Sequence, residues 1–159
     1  MRVQIAVTAA AIVWMAAAFH STVSARQPLQ TPTAQQPESP SKSVWDGVYT
    51  EEQAKRGAAV YRQWCASCHG NELEGGEMAP GLTGGGFSSN WNGLTVGDIF
   101  DRTRNTMPQD SPGSLTREQD ADVTAFILSM NKFPTGKNEL PAQSEMLKQI
   151  KFEANKPGQ

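Results

Sequence analysis

Cysteine is almost missing from this sequence: 159 residues include only Cys65 and Cys68. A disulfide-stapled scaffold is thereby excluded, because one pair of thiols two residues apart closes no loop large enough to stabilise a domain. Histidine is as scarce, with His20 and His69 alone, so zinc lacks the second pair of ligands that a closed site needs. Positive charge is not in excess either. The formal net charge is −2 at pH 7, which argues against nucleic acid as a partner, since phosphate binding needs a basic surplus. No internal repeat is found, and the length excludes a large multidomain enzyme. What the chain does have is 14 glycines and 10 prolines, the composition of one modest, loop-rich domain with appendages.

One long apolar run is present, from Val3 to Phe19 behind Arg2, and Val23-Ser24-Ala25 follows it. A charged start, an apolar stretch and small residues at the end predict a signal peptide over 1–25, cleaved after Ala25, and a periplasmic destination. An uncleaved anchor is the alternative, the run lying near the lower limit for crossing a bilayer. Cleavage leaves no integral membrane span. Residues 26–44 carry Pro28, Pro32, Pro37 and Pro40 among Gln, Ser and Thr, a leader too polar to offset its own ordering entropy and therefore expected to be disordered. The folded part is expected from Trp45.

Three helices are predicted. Thr50-Glu51-Glu52-Gln53 is a capping-box pattern, and Ala54, Gly57, Ala58, Tyr61 and Cys65 recur at helical spacing behind it, which delivers Cys65 at the helix end. Thr95 caps a second helix with Val96, Ile99, Phe100 and Thr103 on one face; it must end before Pro108, so Met107 is held extended. Thr116-Arg117-Glu118-Gln119 opens a third, with Val123, Phe126, Ile127 and Met130 as its stripe up to Asn131. Between Gly70 and Gly93 the glycines and prolines predict loop. Something other than a side-chain core must fill the space this stretch encloses.

Cys65-Ala66-Ser67-Cys68-His69 supplies a filler. Two thiols separated by two residues can add to the two vinyl groups of one haem, and the histidine after the second thiol is placed to coordinate iron. A thioredoxin-like redox pair wants a βαβ context that this helical pattern lacks, and a structural disulfide is the remaining competitor. The export signal agrees with haem c, which is attached outside the cytoplasm.

On these residues the sequence resembles the class I c-type cytochromes over roughly 45–133. The resemblance implies an all-α cytochrome c fold, three to five helices around one covalent haem c. It also implies that the helix before the motif crosses the last helix, with Gly57 and Tyr61 meeting Phe126. Ala79-Pro80-Gly81-Leu82-Thr83-Gly84 matches the family's proline segment, whose carbonyl accepts the hydrogen of the ligand imidazole; this assigns that role to Pro80 and orients His69. For the sixth ligand, Met78 is tied to the proline side, Met130 lies on a core stripe and Met146 belongs to the tail. Met107 is left, and Thr106-Met107-Pro108 resembles the family's ligand loop; the alternative is an apolar plug in the cleft. Trp91, Arg102 and Arg104 are candidates to meet the propionates, and Phe87 and Leu94 to pack on the ring.

The implied function is electron transfer without catalysis. A periplasmic carrier would take one electron from a donor such as a dehydrogenase and give it to an acceptor such as a terminal oxidase. Two alternatives stay open: a dedicated haem subunit of a quinoprotein dehydrogenase, and a small catalytic haem protein whose sixth site is free. Residues 134–159 exceed a minimal cytochrome and resemble the extension of cytochromes that accompany quinoprotein dehydrogenases; Leu140, Leu147 and Ile150 are expected to pack this extension on the domain.

Overall fold

The computed structural model describes residues 40–158; the expected signal peptide and most of the leader lie outside the described residues. In chain order come β1 (Lys42–Ser43), a single 3-10 turn (Val44–Asp46), α1 (Glu51–Trp64), α2 (Ala66–His69), α3 (Gly84–Trp91), α4 (Val96–Thr106), α5 (Arg117–Met130), α6 (Ser144–Leu147) and β2 (Ile150–Lys151). The fold is mostly helical, and among the described residues no helix is long and apolar enough to cross a membrane.

Local chemistry explains where the main helices start. The Thr50 hydroxyl accepts the Gln53 amide hydrogen at 3.1 Å, while Thr95 with Asp98 and Thr116 with Gln119 close complete capping boxes. The reciprocal half expected at α1 is not formed. Gln53 is buried, and its side chain instead accepts from the Leu140 N–H at 2.7 Å and donates to the Leu140 carbonyl at 3.0 Å. A buried amide must satisfy both its groups, and the backbone of Leu140 offers both at once.

α1 crosses α5 at Gly57. A Cβ there would collide with the Asp122 carbonyl and lie 2.9 Å from Phe126 Cβ, so only a missing side chain permits this approach. Tyr61 fills the flank, its ring centroid 5.3 Å from that of Phe126. Arg56 fastens the same crossing from outside, donating to Asp122 at 2.9 and 3.0 Å and to Glu139 at 2.8 and 3.0 Å.

Two expectations need correction. The stretch between Gly70 and Gly93 is not all loop, since Gly84–Trp91 is helical. Its glycines occupy the first turn, and the helix rests on tertiary contact: Phe87 is buried and packs on Trp91 at 6.0 Å and on Phe152 at 5.8 Å. Glycine propensity is overridden by what Phe87 and Trp91 bury. Ordered structure also starts before Trp45. Lys42 and Ser43 pair in parallel with Ile150 and Lys151, and Val44 is fully buried.

Leu140, Leu147, Ile150 and Phe152 all join the core. Phe152 sits edge-on to Phe133 at 5.2 Å, Phe133 edge-on to Trp45 at 4.8 Å, and the Trp45 indole donates to the Glu153 carbonyl at 2.9 Å. Each such apolar side chain stabilises the fold by about 2 kcal/mol relative to exposure. The C-terminal segment is therefore part of the domain it covers.

Candidate functional site

α1 delivers the cysteine pair. The Cys65 N–H still bonds to the Tyr61 carbonyl at 2.8 Å, but its φ of −122° breaks the helix there, and the one-turn α2 carries Ala66 to His69 before Gly70 ends it at φ +81°. The Tyr61 hydroxyl donates to the Gly70 carbonyl at 2.6 Å, fixing the far end of the motif to α1. Both thiols are free; Cys65 is half-buried and Cys68 exposed. Burial pushes the Cys65 thiol up to about 11, with smaller contributions from the charges of Asp120 and Cys68.

His69 is buried, and its Nδ1 lies 2.8 Å from the Pro80 carbonyl oxygen. The segment between them folds back on itself to make this contact. Gly75 N–H bonds to the His69 carbonyl at 2.8 Å, and Leu82 N–H to the Leu73 carbonyl at 2.8 Å. Leu73, fully buried, adopts φ +61° at the bend. Asn131, the cap residue after α5, donates to the Leu82 carbonyl at 2.9 Å and accepts from the Gly84 N–H at 3.2 Å. The proline segment is thus held from below by α5 as well as by its own turns.

Met107 ends α4 in extended conformation, φ −126° and ψ 152°, its N–H on the Thr103 carbonyl at 2.9 Å. It is half-buried. Among the other methionines, Met78 is 78% and Met146 57% exposed, while Met130 packs against the core from α5. Trp91 is half-buried against Phe87, Leu94 is exposed and Arg102 is exposed.

Arg104 has a partner within the protein. Its guanidinium donates to Asp120 Oδ2 at 3.1 Å and lies 3.5 Å from the Leu115 carbonyl, so its partner is a carboxylate of the protein itself. Asp120 was missed. It is fully buried, its Oδ1 has no hydrogen-bond partner, and burial pushes its carboxyl up to about 6 against the opposing pull of Arg104 and Arg117. In sequence it reads as an acid complementing the N-terminus of α5; the available signal was its spacing, three before Val123 and seven before Ile127, on the apolar stripe.

The residues present fit a haem covalently held at this place. Two free thiols, a buried imidazole with one nitrogen engaged and half-buried apolar side chains packed on the core (Leu82, Trp91, Met130) are the donor set and apolar surface such a group needs.

Residues 52–127 match a family model described as "Cytochrome C oxidase, cbb3-type, subunit III". No curated protein matches the chain. Among solved structures, the sulfane dehydrogenase SoxCD from Paracoccus pantotrophus is matched at 23% identity and a TM-score of 0.46, over 68% of this chain and 61% of that one. The chain thus spans about three fifths of the chain it matches.

Proposed function

We propose, from the cytochrome family match over residues 52–127 and the Cys65-Ala66-Ser67-Cys68-His69 motif, that the chain is a class I c-type cytochrome with haem c held covalently, and that it is an exported carrier that passes single electrons between two redox proteins. Haem c, when bound, supplies a one-electron ferric/ferrous couple. Everything else is work for the residues of this chain. Cys65 and Cys68 hold the group through thioether bonds. His69 donates its Nδ1 hydrogen to Pro80, which fixes the tautomer and leaves Nε2 as the basic nitrogen for iron. Met107 provides a thioether from the end of α4, where Pro108 forbids further helix.

The observation that carries this reading is the 2.8 Å contact between His69 Nδ1 and the Pro80 carbonyl. A buried imidazole needs a partner in any case; this one takes up Nδ1 and so leaves Nε2 as the nitrogen that could bind iron. With His69 and Met107 as its protein ligands, a bound haem iron would have no position left for a substrate and would supply one-electron transfer. The donor is a dehydrogenase and the acceptor a terminal oxidase under this proposal, and the periplasm is the compartment that the apolar N-terminal run supports.

Met107→Ala tests the reading. The variant retains covalent haem but loses the ferric absorption characteristic of sulfur ligation and acquires a lower potential, since a thioether favours the ferrous state. An unchanged spectrum would place the sixth ligand elsewhere.

A further inference from the structure

The one buried carboxylate oxygen without a partner among the described residues is Asp120 Oδ1, on the first turn of α5. A buried charge costs more in lost hydration than an ion pair usually returns, so this pair contributes little to stability by itself. Its position in the chain is informative. Arg104 is in the last turn of α4, three residues before Met107, and its guanidinium reaches both the Leu115 carbonyl and Asp120. Leu115 is the buried residue just before the Thr116 cap of α5. A single side chain on the last turn of α4 is therefore hydrogen-bonded, through Asp120, to the first turn of α5 on the far side of the 107–116 segment. Within that segment one backbone bond is of ordinary length, Ser111 N–H to the Pro108 carbonyl at 3.0 Å, and two are long: Gly113 N–H to the Met107 carbonyl at 3.4 Å and Ser114 N–H to the Ser111 carbonyl at 3.3 Å. The two long ones do little to fix the segment alone.

We propose that Asp120, acting through Arg104, is a positioning residue for Met107: the pair latches the α4–α5 connection and so holds the methionine in place as a ligand. This rests on the reading of Met107 as the sixth ligand. The charged and titratable groups that face Asp120 are Arg104 from α4, Arg117 on its own helix and Cys65 at the end of α1; haem attachment turns Cys65 into a neutral thioether. Arg104 is then the sole strong hydrogen-bond partner of the carboxylate, and loss of either member frees the segment.

The test uses holoproteins of the wild type, Asp120→Asn, Arg104→Gln, Arg104→Lys and Met107→Ala. Two readouts are taken, the ferric sulfur-to-iron absorption and the rate of carbon monoxide binding after reduction, with circular dichroism to verify the fold. Asp120→Asn and Arg104→Gln are expected to keep covalent haem and helix content, lose much of the sulfur absorption and bind carbon monoxide about tenfold faster, the scale typical of residues that orient a metal ligand. Arg104→Lys, which keeps the charge, is expected to recover part of both. Wild-type absorption and rates in Asp120→Asn and Arg104→Gln, alongside loss of the absorption in Met107→Ala, would overturn the latch and leave the ligand standing. Retention of the absorption in Met107→Ala would overturn the ligand reading and the latch with it. Should Asp120→Asn fail to accumulate, Arg104→Gln decides alone, because that side chain is 29% exposed.

Discussion

Gly57 and Asp120 carry opposite lessons. At Gly57 the constraint is steric and local, and the resemblance to the class I c-type cytochromes made it legible. Gly57→Ala pushes a methyl into the Asp122 carbonyl, a backbone atom that cannot swing aside. The expected loss is about 2 kcal/mol or more, the upper part of the overpacking range, measured by denaturant unfolding. At Asp120 the constraint is electrostatic and long-range, and its place on the apolar stripe, three before Val123 and seven before Ile127, is outweighed in the sequence by the ordinary role of an acid at a helix start. Its folded-state value of about 6 stands above the ordinary carboxylate value, so the folded protein binds the proton more tightly than the unfolded one. The stabilising contribution is complete below pH 4 and is lost as pH rises through about 6. Melts of wild type and Asp120→Asn at several pH values are expected to diverge over that window by up to about 3 kcal/mol, and curves that stay parallel would refute the shift.

Among the elements, those whose ends are written in adjacent side chains were readable in the sequence. α1, α4 and α5 begin at Thr50, Thr95 and Thr116 because a hydroxyl there satisfies an otherwise orphaned N–H. Thr116→Ala is expected to cost about 1 kcal/mol, read from the unfolding midpoint. α3 was not readable, because its three leading glycines argue against helix while the contacts that hold it, Phe87 with Phe152 and Trp91, come from afar in sequence or from its own last turn. The pairing of β1 with β2 was hidden for the same reason: two-residue strands have no periodicity, and their register is set by burial of Val44, Ile150 and Phe152. Phe152→Ala tests this dependence. It removes a fully buried ring from the contact with Phe87 and Phe133 and is expected to cost 3 to 5 kcal/mol, about what truncating a core aromatic does, with loss of N-terminal order visible as faster amide exchange at Lys42 and Ser43.

In the whole molecule, two long helices cross through Gly57, α4 ends where Met107 must turn outward, and the proline segment folds back until Pro80 meets His69. The cysteine motif, the helix caps and the extended Met107 were legible one by one. Their relation was not, because the links that assemble them (Gln53 to Leu140, Asn131 to Leu82, Arg104 to Asp120) run between residues far apart in sequence or unremarkable in type. An iron closed on both faces is what separates a carrier from a haem enzyme. The direct measurement is the absorption spectrum of the reduced wild-type holoprotein before and after exposure to carbon monoxide at neutral pH. The account predicts no spectral change; rapid formation of a carbon monoxide adduct would show an open coordination position and contradict it.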